Sequence, residues 1–183
     1  RIDRNRIFGI GDVVGKMKKE TIVNSFMDKL SLYSDRTEDK YNLMKKMFNK
    51  LYKLERLKPE WKKYLDTTKA ILYKKSETEY NDRVWAFNSK RGYASKEQSN
   101  YECKMEQLLV YFTFIYYAGS IYDEDVLSKM KFTIVSTLFV QEMYIALGSK
   151  EHYNFTELAR LYSREIEHSE KNLELMDSMM DEN

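Results

Sequence analysis

The sequence has very little proline, glycine and cysteine, and each shortage excludes a class of protein. One proline and six glycines occur in 183 residues, whereas a sheet protein needs turn residues wherever its chain reverses. We therefore expect helices rather than sheets. Cys103 is the only cysteine, which excludes an intrachain disulfide and a multi-thiolate zinc or iron–sulfur site formed by this chain alone. A reducing, cytoplasmic location is expected.

A long uninterrupted apolar run is also missing. The longest run, residues 108–122, is shorter than the roughly 18 to 20 residues of a membrane span, and Thr113, Gly119 and Ser120 interrupt it. The chain begins with Arg1 and shows no signal-peptide pattern. These features predict a soluble protein without a membrane partner, in a chain that looks truncated at its start.

Charge is nearly balanced overall but unevenly distributed. The formal net charge is only +2, yet lysines are concentrated in residues 40–75 and acidic side chains in residues 165–182. Most tyrosines lie on apolar stripes rather than among the lysines, so nucleic acid is not an expected partner. With 43% apolar residues the chain can bury a sizeable core.

Helical periodicity divides the sequence into three parts. Residues 1–75 contain three candidate helices with a basic surface, and Pro59 suits the first turn of the third. Residues 76–98 have mixed polarity and are interpreted as a connecting segment with a loop tip at 91–93. Residues 99–183 form the predicted C-terminal core. One continuous domain is the alternative.

The C-terminal part carries the clearest helical patterns. Residues 100–120 and 125–147 are apolar on nearly all sides, which predicts a buried central helical hairpin in which Phe112, Ile134 and Leu138 are covered. Gly148 closes the second of these helices. After Asn154 apolar residues recur at spacings of about four and three, indicating one long amphipathic helix. The predicted fold is an all-α helical bundle.

Motifs for catalysis and metal binding are weak. The glycines at positions 9, 11 and 15 resemble a dinucleotide-binding loop, but the third comes one residue late and no strand precedes them. Ser163 and His168 are five residues apart and lack a nucleophile elbow, so they do not predict a hydrolase. His152 and His168 lack the spacing of a helical metal site. No metal ligand or catalytic residue is therefore assigned.

Two groups of polar residues remain as candidates for a functional site. Glu142 lies among apolar helical neighbours and should be buried, either paired with a basic side chain or acting as a perturbed acid at a cleft. The second group lies on or beside the polar side of the last helix, with Tyr162 next to it, and consists of Arg160, Arg164, Glu165, Glu167, His168 and Asn172. A solvated helix face is the simpler interpretation of this second group.

The residues from 108 to 143 and from 157 to 176 resemble the C-terminal region of bacterial flagellin lysine-N-methylases. The most specific segments are YDEDVLSKMKF at residues 122–132 and ARLYSREIEHSE at residues 159–170. The resemblance implies a fragment of a lysine N-methyltransferase that is inactive alone, with flagellin as the substrate and S-adenosylmethionine as the methyl donor.

The resemblance also implies that the family's cysteine-rich N-terminal region, expected to hold a metal or iron–sulfur centre, is missing here. We expect this chain to be the scaffold, and a platform for substrate or for the cofactor centre. Tyr162, Arg164, Glu165 and His168 would then line the surface facing the missing region, with Glu142 as a buried neighbour. The alternatives are a non-enzymatic helical interaction module and a ligand-binding domain of a bacterial regulator.

Overall fold

The computed structural model describes residues 38–89, 96–117, 126–148 and 154–181, and all regular structure in these ranges is helical. The described part contains seven α-helices: α1 (Glu38–Leu51), α2 (Pro59–Leu72), α3 (Glu77–Ser89), α4 (Lys96–Phe112), α5 (Val126–Leu147), α6 (Phe155–Ile166) and α7 (Glu170–Asp181). A π-helical segment, Thr113–Tyr117, continues α4. Residues Tyr41–Asn183 cluster into one compact unit. The predicted all-α bundle is confirmed.

Local sequence signals explain where several helices begin and end. Pro59 is the first residue of α2, where its missing N–H removes no helical hydrogen bond. Gly148 follows α5 and donates its N–H to the Tyr144 carbonyl oxygen at 2.8 Å. The Asn154 side chain caps α6 by accepting a hydrogen bond from the Glu157 N–H at 2.8 Å. All three positions agree with the sequence predictions.

Helix α5 is the centre of the unit, because it packs against α2, α3, α4, α6 and α7. Its C-terminal half is buried on almost every side, and Phe139 meets Phe48 of α1 in an edge-to-face contact. By length and composition α5 could cross a membrane, but 67% of its most apolar window is buried inside the protein. This burial is the pattern of a core helix in a soluble protein.

The predicted burial of the central hairpin is wrong for α4 and for the first half of α5. Phe112 is fully buried, as expected, but Ile134 is 49% exposed and Leu138 is only partly buried. The π-helical segment explains part of this difference. It adds a residue to the turn after Phe112, so that Tyr116 packs inward against Phe132 with ring centroids 4.2 Å apart, while Ile115 is exposed.

The predicted long C-terminal helix is also wrong, because the chain breaks between α6 and α7 at residues 167–169. Ser169 begins the second helix: its hydroxyl accepts from the Asn172 N–H at 3.3 Å and its carbonyl from the Leu173 N–H at 3.0 Å. The continuous apolar periodicity concealed this capping serine. The break allows α6 and α7 each to contact α5.

Some sequence predictions lie outside the described residues. These are the helix at 7–32, the glycine motif at 9–15 and the loop tip at 91–93. Within the predicted connecting segment 76–98, the structure contains α3, whose Tyr80 is buried. The proposed division into three parts stays a prediction.

Candidate functional site: two tyrosine-bound carboxylates and an apolar face

Two of the candidate residues on α6, Tyr162 and Glu165, are fully buried and form hydrogen bonds to other parts of the bundle. Tyr162 donates its hydroxyl to the Ser136 oxygen of α5 at 2.9 Å and contacts the Trp61 ring edge-on. Burial is the main cause that raises the pKa of Tyr162, while the hydrogen bond to Ser136 opposes it. Tyr162 is therefore positioned as a neutral core residue that joins α6 to α5.

Glu165 fastens the loop between α1 and α2. Its Oε2 accepts from the backbone N–H of Leu57 at 2.9 Å and of Lys58 at 3.4 Å, just before α2 begins. A carboxylate at this position also interacts favourably with the positive end of the α2 dipole. Asn172 completes the attachment: it accepts from the Glu55 N–H and donates to the carbonyl oxygens of Glu55 and Glu165, all at 2.8 Å.

The other two candidates on α6 and beyond it are reachable from solvent. Arg164 is partly exposed, and its Nε lies 3.7 Å from Glu165 Oε1. His168 is exposed in the break between α6 and α7. The structure thus places Arg164 and His168 at the surface but Tyr162 and Glu165 in the interior. The functional role assigned to this group stays a prediction.

Glu142 is fully buried, as the sequence predicts. Two phenol hydroxyls donate to its carboxylate: Tyr73 to Oε2 at 2.8 Å and Tyr80 to Oε1 at 2.9 Å. The two rings stack, and Tyr41 packs beside both. Burial, followed by the charge of Glu142, raises the pKa of both tyrosines, which keeps them protonated as donors. The expected pairing of Glu142 with a basic side chain stays a prediction.

Glu167 is a second tyrosine-bound carboxylate; the sequence analysis placed it on the polar side of the last helix but could not identify its partners. Its Oε2 accepts from Tyr111 at 2.8 Å and from Ser163 at 2.5 Å, and its Oε1 accepts from Tyr116 at 3.0 Å. We call these four residues the Glu167 cluster. Unlike Glu142, Glu167 is only partly buried, and Tyr111 is 43% exposed. The tyrosines precede Glu167 by more than fifty residues, so only the fold brings them together.

Most of the large apolar side chains that are exposed in the described residues lie on α4, the π-helical segment and the start of α5. We call this surface the apolar face; its exposed members are Leu109, Val110, Phe114, Ile115, Val126, Leu127, Met130 and Ile134. Leu109 and Thr113 line a cavity of about 350 Å³ together with Met130, Thr133 and Ile134. This cavity joins the two helices into one surface. Exposed apolar surface of this kind commonly marks a binding interface.

The described residues do not provide the cofactor centre that the resemblance implies. Among them no group of three or more histidine, cysteine or acidic side chains could hold a metal ion, and Cys103 is an exposed single thiol. A cysteine-bound centre would need several thiolate ligands. No chemical step can be derived from these side chains.

Comparison with known proteins gives one match. The family model of the FliB lysine N-methylase C-terminal domain matches residues 1–183, the whole chain. Neither the curated proteins nor the solved structures gave a match. The match agrees with the resemblance carried by residues 122–132 and 159–170, and the chain therefore belongs to the family of FliB lysine N-methylase C-terminal domains.

Proposed function

We propose that this chain is the helical C-terminal part of a cytoplasmic flagellin lysine N-methylase and that it acts as a binding platform, not as the catalytic part. The family description supports the methylase assignment. Methyl donor and cysteine-bound centre belong, in this proposal, to the part of the enzyme that precedes the C-terminal domain. The platform receives that preceding part and positions the protein substrate beside it.

The observation that carries this proposal is the apolar face. Val126, Met130 and Ile134 recur one turn apart on α5, and each is more than 40% exposed. Such a stripe costs free energy in water and gains roughly 25 cal/mol for each Å² that a partner covers. The core does not use these side chains, so the stripe is available to a partner.

The preceding part of the methylase is the occupant we assign to this face. A C-terminal domain by description is joined to another part of the same polypeptide, and covalent linkage gives that part a high effective concentration near the face. The described acidic candidates Glu142 and Glu165 are sealed in the interior. In this proposal the catalytic centre is supplied from another part of the enzyme and brought to an exposed surface of the platform.

The proposal can be tested with exposed aromatic side chains in the full-length enzyme. Phe114→Glu places a charge on the apolar face, where Phe114 is 78% exposed. We expect flagellin methylation, followed by mass spectrometry, to fall at least tenfold, while the melting temperature changes little because the side chain contributes little to the core. Trp85→Glu is the matched control, because Trp85 is 72% exposed on α3 and lies outside the face.

Photo-cross-linking identifies the occupant. A benzoylphenylalanine at position 127 should cross-link to the preceding part of the methylase, whereas the same group at position 85 should not. Normal methylation by Phe114→Glu, together with no cross-link from position 127, would refute the platform. Cross-linking to an unrelated cellular protein with methylation unaffected would favour the alternative of a non-enzymatic interaction module, which the same apolar face also supports.

A further inference from the structure

The cavity of about 350 Å³ on the apolar face lies between the end of α4 and the first turns of α5. We call it the α4–α5 cavity. Leu109 and Thr113 line one side of it from positions four residues apart, and Met130, Thr133 and Ile134 line the other side from neighbouring positions on α5. Residues three and four apart share one side of a helix. The cavity is therefore a slot bordered by two rows of side chains, each about one helical turn long.

The lining of the α4–α5 cavity carries no charge, and both of its hydroxyl groups are already paired. The Thr113 hydroxyl donates to the carbonyl oxygen of Leu109 at 2.7 Å, and the Thr133 hydroxyl makes a longer hydrogen bond to the carbonyl oxygen of Phe112 at 3.5 Å. The other three lining side chains are apolar. A charged or strongly polar group would lose its hydration in the cavity without gaining an equivalent partner. The cavity therefore selects an apolar group.

The floor of the cavity belongs to the core of the bundle. Thr133 is buried, and its hydrogen bond to Phe112 joins α5 to the residue where α4 passes into the π-helical segment. Phe112 is itself fully buried and stacks on Tyr116, whose ring contacts Phe132. A cavity with a packed floor is largely formed before its occupant arrives, which reduces the conformational entropy that binding costs.

The volume and the lining of the cavity fit an aromatic side chain. An apolar protein cavity of about 150 Å³ takes up benzene, and the α4–α5 cavity has roughly twice that volume. The additional room admits the stem of a side chain that enters from the surface. Met130 also favours a ring, because a thioether sulfur makes attractive contacts with aromatic edges. Leu109, Met130 and Ile134 are each at least 40% exposed, so the slot is open to an incoming side chain.

We infer that the α4–α5 cavity binds one aromatic side chain of the preceding part of the methylase and that this side chain anchors the two parts to each other. The inference rests on the proposed function, which assigns the preceding part to the apolar face, and it specifies the contact that holds that part. Interfaces obtain most of their binding energy from a few large side chains in well-packed, dehydrated pockets. A side chain between two helices loses more contact with water than one on an open helix face.

The first experiment identifies the anchor in the full-length enzyme without a substitution that changes the cavity. Photo-methionine carries a small diazirine and is close to methionine in size, so it can replace Met130 without filling the slot. Mass spectrometry should find that position 130 cross-links to a single peptide of the preceding part, at or beside an aromatic residue. Cross-links from position 130 to several peptides, or to none, would overturn the inference. The platform would still stand if position 127 cross-links to the preceding part.

The second experiment fills the cavity from the platform side. In Ile134→Trp a large ring takes the space of the anchor, so flagellin methylation by the full-length enzyme should fall at least tenfold. The melting temperature should change little, because Ile134 is 49% exposed. Leu43→Trp is the matched control, because Leu43 is an aliphatic residue of α1 with 38% exposure outside the apolar face. Normal methylation by Ile134→Trp would overturn the anchor, whereas normal methylation by Phe114→Glu bears on the platform.

A double-mutant cycle then shows whether the two rings compete for the same space. Replacement of the cross-linked aromatic residue by alanine should by itself lower methylation at least tenfold. Combined with Ile134→Trp it should cause no further loss, because both changes remove one contact and contacting residues do not act additively. Losses that multiply to about a hundredfold in the double variant would show two independent sites, and the inference would then be wrong while the platform remained.

Discussion

Glu142 and Glu167 have nearly the same local chemistry but very different surroundings. Each carboxylate accepts hydrogen bonds from two tyrosine hydroxyls, at distances of 2.8 to 3.0 Å. Glu142 is fully buried among the aromatic side chains of the core, whereas Glu167 is partly exposed beside the apolar face. A pair of tyrosine donors therefore occurs with a fully buried carboxylate in one case and with a partly exposed carboxylate in the other.

The comparison shows that burial separates a carboxylate enclosed by the core from one that lies near the surface. An external ligand cannot reach Glu142 without opening the packing of α2, α3 and α5. Glu167, in contrast, is only partly buried. Glu165 belongs with Glu142, because its carboxylate is occupied by backbone N–H groups in the interior. Substitution of a carboxylate should therefore lower the free energy of unfolding more when that carboxylate is more deeply buried.

The largest loss should follow Glu142→Ala. This change removes the acceptor of both Tyr73 and Tyr80 and leaves two buried hydroxyls unpaired, each costing about 1 to 3 kcal/mol. We expect the free energy of unfolding, measured by urea denaturation, to fall by about 3 kcal/mol. Glu142→Gln should lose about 1 kcal/mol, because the amide can still pair with both phenols. Equal losses for the two variants would contradict this account.

Glu165→Ala should have the next largest effect. The backbone N–H groups of Leu57 and Lys58 lose their acceptor, so we expect a loss of about 2 kcal/mol and faster proteolysis between α1 and α2. Glu174→Ala is the control, because Glu174 is an exposed carboxylate on α7 and should change stability by no more than about 0.5 kcal/mol. A loop that resists proteolysis in Glu165→Ala would show that the carboxylate does not hold it.

Stability should respond much less to Glu167→Gln. The amide oxygen still accepts from hydroxyl groups, and water can reach the partly exposed site. We expect a change within about 1 kcal/mol by urea denaturation. A loss as large as that of Glu142→Ala would remove the distinction between the two carboxylates. It would also place Glu167 among the residues that stabilise the fold.

Sequence reasoning succeeded where the signal was local and failed where it depended on distant residues. The start of α2 at Pro59 and the end of α5 before Gly148 follow from single residues with strong positional preferences. The burial of Glu142 followed from its apolar neighbours, but its partners Tyr73 and Tyr80 are more than sixty residues away. No periodicity argument could have identified them.

The errors in the central helices have a common physical cause. An apolar pattern on all sides of a helix was interpreted as burial on all sides, although a surface that binds a partner gives the same pattern. The π-helical segment added a change of register after Phe112 that the sequence pattern did not reveal. An uninterrupted α-helix would place Tyr111 and Tyr116, which are five residues apart, on different faces. The five-residue spacing of these tyrosines was the available clue.

Glu157 completes the order as the carboxylate with the smallest expected effect. Its side chain is 43% exposed and pairs with Arg160 across less than one turn of α6. The hydrogen bond from Arg160 is the main cause that lowers the pKa of Glu157 below its ordinary value of 4.5. A pKa that is lower in the folded state stabilises the fold above the unfolded pKa, and this stabilisation is lost as the pH falls through the folded value.

Urea denaturation of the unaltered protein and of Glu157→Gln should therefore differ by about 0.5 kcal/mol or less at pH 7, because solvent screens an exposed pair. The difference should begin to shrink as the pH falls below 4.5, where the unfolded chain binds the proton, and should be lost as the pH passes through the lower pKa of folded Glu157. Added salt should reduce it at pH 7 as well. Arg160→Met should abolish most of the difference at every pH, since the partner that lowers the pKa is then missing. If Glu157→Gln lost more stability at pH 7 than Glu167→Gln, the expected order of these two carboxylates would be reversed. The exposed ion pair, and not burial, would then determine how strongly each carboxylate stabilises this fold.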